Sequence, residues 1–219
     1  MLADRRADAG ARWSLVVPLK SLDRAKSRLA TAAGELLRPR LALAFAQDTV
    51  AAALACPAVR DVVVVTDDAR AARELAALGA RVVPDVPGRG LNAALVHGAG
   101  AVRAARPPAA VAAVNADLPA LRPAELDRVL RAAREFPRAF LADAAGIGTT
   151  LLSAAPGVEL APAFGGESRS RHLASGAVEL AVGGVESVRR DVDTGADLLA
   201  ALALGVGDYT LRTSGASRT

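Results

Sequence analysis

Three aspartates and one basic loop are the groups in this chain best suited to chemistry. Asp117 stands in VAAVNADLPAL, and Asp191 and Asp193 stand in SVRRDVDTGADLL. Each follows a strand-like run and precedes a predicted helix. Lys20, Lys26 and Arg28 stand in VVPLKSLDRAKSRLA, beside another strand end. Carboxylate oxygens suit a hard cation such as magnesium. Lysine supplies a mobile point charge and arginine a planar fork of donors, both of use against a triphosphate. Taken together they are parts for a metal-assisted phosphoryl-type transfer, driven by alignment and charge neutralisation.

Each group also has a plainer reading. Asp117 alone could be a loop acid or a helix cap. Asp191 and Asp193 project to one side if Val192 lies in an extended segment; alternatively, Asp193 helps to cap the helix that Thr194 begins. With Asp117 beside them, the metal role is favoured. In GRGLN, Gly88 and Gly90 could let the backbone approach a nucleotide base, with Asn92 making paired hydrogen bonds. The same residues could form a tight turn and an Asn cap. Thr66, Asp67 and Asp68 either line the nucleotide site or start the next helix. Thr150 in GIGTTLLSA, with Gly165 and Ser168 in FGGESRSRHLASG, offers hydroxyls and an exposed amide to a small phosphorylated carboxylate, and Arg169 and Arg171 could attract the same anion. Its alternative is a glycine-rich turn into a Ser-capped helix. His172 reads as a packed or helix-surface residue rather than a base, and His97 forces no acid–base mechanism.

The elements that must position these residues follow a strand–helix rhythm. SLVVPL (14–19), VRDVVVVTDD (strand 61–66), ARVVPD and AAVAAVN read as strands, as continuous apolar runs covered on both faces do. Helices are expected over about 35–54, with Pro39 in the first turn, over ARAARELAALG, after GRGLN, and over RPAELDRVLRAAREF. The rhythm implies an α/β fold, a three-layer α/β/α core with a mostly parallel central sheet. Ligands of such sheets bind beyond strand C-terminal ends. After Phe136, RAFLAD, GTTLLSA and GVELAPAF read as shorter strands. ESRSRHLASG reads as one short helix, VELAVGG and VESVRRDVD as a further pair of strands, and TGADLLAALALG as a last helix. Residues 13–210 are expected to form a single domain with an acceptor-binding elaboration near 137–185, between flexible tails at 1–12 and 211–219.

Composition narrows the partners. Of 219 residues 52% are hydrophobic, which argues for a packed core rather than disorder. Only 3% are aromatic and the net charge is +4, so a stacking platform for nucleic acid is lacking. Cys56 is the only cysteine, which excludes an intrachain disulfide or thiolate zinc cluster. No apolar run suits a membrane span, and residues 1–12 lack the apolar segment of a secretory signal, so the expected location is cytoplasmic.

The ordered set VVPLKSLDRAKSRL, VVVVTDD, GLNAAL, NADLPAL, GTTLL, FGGESRSRH and DVDTGADL resembles the guanylyltransferases of coenzyme F-420 biosynthesis over about residues 14–205. The resemblance implies a glycosyltransferase-A-like nucleotidyltransferase fold. It also implies GTP, Mg2+ and a small phosphorylated three-carbon acid, either phosphoenolpyruvate or 2-phospho-L-lactate, the high-Ala, high-Arg composition mildly favouring the first. Carried onto this chain, it makes Asp117, Asp191 and Asp193 the metal candidates and Thr150, Gly165 and Ser168 the acceptor candidates. Lys20 and Lys26 face the phosphates, and Gly90 and Asn92 fall where the base is read. The early segment departs from the LxxGxSxR form of sugar nucleotidyltransferases, which argues against their chemistry. Cytidylyl or uridylyl transfer to another phosphate, and a catalytically silent nucleotide-binding regulator, stay open as rivals. So do a homodimer formed through residues 140–175 and a downstream enzyme that accepts a labile product.

Overall fold

A computed structural model describes residues 12–23, 36–86 and 88–216. Among the described residues, seven strands form one sheet: β1 (Trp13–Pro18), β2 (Val59–Val65), β3 (Arg81–Val83), β4 (Val111–Val114), β5 (Arg138–Ala142), β6 (Thr149–Ala154) and β7 (Val178–Glu179). Their order across the sheet is β3-β2-β1-β4-β6-β5-β7. β1, β2, β3 and β4 are mutually parallel; β6 runs antiparallel to both β4 and β5, and β5 is parallel to β7.

Alternation along each strand builds a core on both faces. Leu15, Val17, Val62, Val64, Ala112 and Val114 pack on one side. Their neighbours Val16, Val63, Val65, Val111 and Ala113 pack on the other. On the first face lie α1 (Arg38–Leu54), α2 (Ala69–Ala77) and α4 (Pro123–Ala133); on the second lies α3 (Leu91–Ala105). α3 sits close to the sheet because Gly98 has no side chain: a Cβ there would lie 2.5 Å from Val16 and 2.7 Å from Val65. The remaining helices among the described residues are α5 (Ser168–Ala174), α6 (Glu186–Arg189), α7 (Gly195–Leu204) and α8 (Asp208–Ser214). Cys56 is buried after the end of α1, and burial pushes its thiol up, away from the reactive thiolate.

Local chemistry accounts for the boundaries. Asp68 caps α2 by accepting from the amides of Arg70 and Ala71. Thr194 and Asp197 form a capping box at the start of α7. Pro39 and Pro123 sit in the first turns of α1 and α4, where a missing amide donor costs nothing.

The structure corrects several expectations after residue 155. GVELAPAF forms a loop rather than a strand. The pair of strands expected over VELAVGG and VESVRRDVD is reduced to the two residues of β7, and residues 186–189 turn into α6. β-branched composition suggested strands there, but Val185 and Val188 are satisfied by burial against the α4 face of the core and need no ladder. At the other end, residues 211–214 belong to α8, where a tail was expected. α8 is anchored by the buried Asp48 of α1, which accepts from the amides of Tyr209 and Thr210 at 3.1 and 2.8 Å.

Topology creates a switch point. From β1 the chain crosses to β2 on one side, and after β3 it returns through α3 to β4 on the other. The C-terminal ends of β1 and β4 therefore diverge beside one another, the place where open α/β sheets leave a crevice.

Candidate active site

A cleft of about 360 Å³ opens at this crevice. Pro18, Leu19 and Lys20 enter it from the end of β1, and Asn115, Ala116 and Asp117 from the end of β4. Asp143, Gly148 and Thr149 come from the β5–β6 connection. Phe164, Gly165, Gly166 and Ser168 form another wall, and Asp191 and Asp193 complete the acidic side. Lys20, Asp117, Asp191, Asp193, Gly165 and Ser168, all singled out by sequence, thus share one cavity although they span most of the chain.

The acidic side is set by backbone contacts. The Val192 amide donates to the Asp117 carbonyl at 3.1 Å. The Val192 side chain is fully buried with Leu41, Phe45, Ala120 and Ala201. A buried middle residue turns its two neighbours the other way, so Asp191 and Asp193 both reach the cleft in a segment that is not a strand. The Asp117 loop is held from α1: the Leu118 amide donates to Thr49 Oγ1 at 3.0 Å, and that hydroxyl donates to the Phe45 carbonyl at 2.7 Å.

The three aspartates line one cavity without forming a ready-made cage. Among the described residues, no group of three or more His, Cys, Asp or Glu side chains is arranged to hold a metal ion. The expected three-carboxylate ligand set is thus not preassembled. Magnesium does not require one: it keeps waters and is commonly held by one or two carboxylates together with substrate phosphates. Hard oxygen donors beside Lys20 fit an ion that arrives with a triphosphate.

The opposite wall is a strapped loop. Asn92 of α3 grips the Phe164 backbone twice, its Nδ2 donating to the carbonyl at 3.2 Å and its Oδ1 accepting from the amide at 2.8 Å. The next residues, Gly165 and Gly166, take φ of +97° and +48°, a conformation that favours glycine and turns the backbone along the cleft. Arg171 donates to the carbonyls of Ala163 and Gly165. Arg169 pairs with Glu179 at 3.0 Å. Neither arginine lines the cleft, so both serve the loop and its surroundings where an anion-attracting role was expected.

Other anticipated residues are also placed elsewhere. Thr150 is fully buried in β6, and its neighbour Thr149 faces the cavity instead. The register of β5 and β6 slips here, leaving Thr150 without a cross-strand partner in β5 and its buried hydroxyl without a hydrogen bond among the described residues. Thr66 Oγ1 accepts from the Asp68 amide, and Asp67 accepts from the Asp85 amide at 2.8 Å, so both organise turns outside the cleft. Gly90 precedes α3 with φ +94°, and Asn92 uses one donor and one acceptor of its amide on Phe164; Leu91 between them lines the cleft. Lys26 and Arg28 lie outside the described residues.

Sequence reading missed Asn115, Asp143, Thr149 and Phe164. Asn115 was detectable as the residue closing VAAVN immediately before the predicted strand end. Asp143 left no such signal: its carboxylate accepts from the amides of Ile147 and Gly148 at 3.0 and 2.8 Å and shapes the β5–β6 turn.

The comparisons agree with this architecture. Residues 38–180 match the MobA-like NTP transferase domain. A nucleotidyl transferase from Methanothermobacter superposes with a TM-score of 0.64 at 26% identity, covering 93% of this chain and all of that one. A CMP:2-keto-3-deoxy-manno-octonic acid synthetase complexed with CTP shares the fold, with a TM-score of 0.56 at 19% identity over 88% of this chain and 98% of its own. A phosphoenolpyruvate guanylyltransferase from Streptomyces coelicolor is 76% identical over 198 residues, 90% of this chain and 93% of the relative. One from Thermomonospora curvata is 62% identical over 210 residues, 96% of this chain and 92% of the relative. With identity at that level along nearly the whole of both chains, this chain belongs to the phosphoenolpyruvate guanylyltransferase family.

Proposed function

We propose that this chain transfers GMP from GTP to phosphoenolpyruvate, with release of pyrophosphate. The observation that carries the reading is the shared cleft. Lys20, Asp117, Asp191 and Asp193 converge on one side of it, and Thr149, Gly165 and Ser168 stand on the other. An acidic, lysine-bearing side suits a magnesium–triphosphate, and a wall of hydroxyls and loop amides suits a small phosphorylated acid. The relatives named for this activity supply the identity of both substrates.

In the proposed reaction an oxygen of the acceptor phosphate attacks the α-phosphorus of GTP. The bond from that phosphorus to the bridging α–β oxygen breaks, and pyrophosphate departs with the bonding pair. The nucleophile is already an anionic phosphate oxygen, so no protein base is needed. Lys20 neutralises charge on the triphosphate, a role that Lys26 shares in this proposal. Asp117, Asp191 and Asp193 would hold Mg2+, which when bound screens the phosphate oxygens and polarises the α-phosphorus. Thr150, Gly165 and Ser168, with Thr149 beside them, orient the acceptor by hydrogen bonding, which turns an encounter of two anions into an aligned displacement.

The product is a mixed diphosphate joining guanosine to an enol acid. By the family resemblance it feeds coenzyme F-420 biosynthesis through a downstream enzyme, in a cytoplasmic setting where GTP is available. Among the described residues, no helix is long and apolar enough to cross a membrane. The test is a panel of GTP, ATP, CTP and UTP against phosphoenolpyruvate, 2-phospho-L-lactate and 3-phosphoglycerate, read by product mass and pyrophosphate release. The joined guanosine product with phosphoenolpyruvate is expected under magnesium. Release of pyrophosphate without a joined product, or binding of GTP without turnover, would overturn the proposal.

A further inference from the structure

His172 is fully buried beneath the acceptor side of the cleft, where the reaction as described makes no use of it. Its ring lies between two aromatic side chains, 5.6 Å from Phe140 and 5.2 Å edge-on from Phe164, the latter a cleft residue. Both ring nitrogens have partners. The Ala163 amide lies 3.0 Å from Nε2, and Thr149 Oγ1 lies 2.9 Å from Nδ1.

The direction of these two bonds follows from one fixed donor. A backbone N–H can only donate, so Nε2 accepts and carries no proton. A neutral imidazole must then hold its proton on Nδ1 and donate it to Thr149 Oγ1. With a lone pair of Oγ1 taken by that donation, the Thr149 hydroxyl keeps its own proton for a partner on another side. Thr149 borders the cleft and is otherwise 96% buried. Desolvation by burial, with Arg138 and Arg171 nearby, lowers its pKa to about 4 and keeps the ring neutral. Protonating Nε2 would set two donors against one another at Ala163.

We propose that His172 is a positioning residue of the acceptor site: as the neutral Nδ1–H tautomer it orients the Thr149 hydroxyl as a donor into the cleft and ties down the Ala163–Gly166 loop. The loop is then fastened at adjacent residues by two helices, Ala163 by His172 and Phe164 by Asn92. His172 touches no substrate; it acts through Thr149 and the loop. The inference rests on the assignment of this wall to the acceptor made above.

Two experiments on the full chain test it. The first is nitrogen-detected NMR of the protein labelled on its histidines, with His97→Gln used to assign His172. The expected signature at neutral pH is a protonated Nδ1 and an unprotonated Nε2; the opposite tautomer, or a charged ring, would overturn the proposal. The second uses His172→Asn, which keeps an N–H near the Nδ1 position, and His172→Gln, which keeps an acceptor near Nε2. Thr149→Val and Thr149→Ser accompany them in case the histidine variants do not fold. Losing one neutral hydrogen bond should raise KM for phosphoenolpyruvate about 3- to 10-fold in Thr149→Val, with KM for GTP nearly unchanged and the effect largely restored in Thr149→Ser. Folded His172→Asn and His172→Gln should show the same split. Unchanged kinetics in Thr149→Val, or an equal rise in both KM values, would overturn the proposal. If the wild-type protein makes no joined product, the functional reading falls by itself, and the NMR result decides the tautomer.

Discussion

The backbone amide of Val192 donates to the carbonyl of Asp117 across 3.1 Å, joining the two acidic segments of the cleft through their main chains. The residues are 75 positions apart, yet this bond and the burial of the Val192 side chain fix where Asp191 and Asp193 stand relative to Asp117. Side-chain carboxylates on separate flexible loops would have to be gathered for each turnover. Here the backbone has already brought the two segments to one cavity, so only the side chains have to close on an ion.

Thr49 supports that arrangement from α1, and its removal should be felt in the site. Thr49→Val deletes the acceptor for the Leu118 amide, leaving a buried donor unsatisfied at a cost of about 1–3 kcal/mol. Urea unfolding should report the loss of stability. Initial rates should fall with it as the Asp117 loop loosens, and Thr49→Ser should recover both.

Neutralising the acidic side should cost activity without costing the fold. Asp117→Asn and Asp191→Asn preserve shape and remove charge; each should lower kcat/KM by about 100-fold or more, with a raised requirement for magnesium. Pyrophosphate release measured against magnesium concentration checks this. A well-folded Asp117→Asn protein with wild-type rates at low magnesium would remove Asp117 from the metal site.

Asn92 offers a discriminating substitution. Sequence reading made it a base-recognition residue, whereas both ends of its amide bond the Phe164 backbone. Asn92→Ala should therefore weaken turnover through the loop, about 3- to 10-fold for each hydrogen bond lost, and leave the preference for GTP over ATP unchanged. Competition between the two nucleotides in one assay measures the preference directly.

Gly98 is required by packing. In Gly98→Ala the new methyl would press on Val16 and Val65, so α3 must shift off the sheet or strain it, at about 1–3 kcal/mol. A lowered Tm is expected. Gly100→Ala, two positions along on the exposed side of the helix, where a Cβ meets nothing within 4 Å, should leave stability near the wild-type value or slightly raise it.

Acid should destabilise the fold through His172. Its pKa is about 4 when folded against an ordinary 6.5, so the unfolded chain takes up the proton first as pH falls. The stability due to this group is complete above pH 6.5 and is lost on descending to about pH 4, amounting to about 3 kcal/mol. Asp48 acts in the opposite sense, because burial raises its carboxyl and the folded state protonates it before the unfolded chain does. Comparing urea midpoints of wild type and His172→Gln across this range isolates the histidine, and the variant should lack its share of the decline.

Much of the architecture was legible because its determinants are local. VVVV in β2, the Pro-started helices and the apolar run at 111–114 each declare their element through periodicity and punctuation. Residues 178–193 were misread for a related reason: short β-branched stretches look like strands, but only pairing partners decide whether a ladder forms. The lining of the cleft was legible by residue type at Lys20, Asp117, Asp191, Asp193, Gly165 and Ser168, which stand in loops beside element ends. A threonine pair, by contrast, carries no sign of which member borders a cavity: Thr149 lines the cleft, and Thr150 is buried beside it.

The sequence by itself determined the chemistry available: three carboxylates, a lysine-bearing loop, a glycine–serine loop and strand-forming runs that place each near a sheet end. Tertiary structure alone decided which of them meet. The order β3-β2-β1-β4 opens the crevice between the ends of β1 and β4, and the antiparallel β6 brings Thr149 beside Asn115. The same folding spends Asn92, Asp67, Arg169 and Arg171 on internal bonds. A side chain's type fixes what it can donate or accept, but its partners come from strand pairing, burial and backbone donors far away in the chain, and these set whether it serves a substrate or the fold.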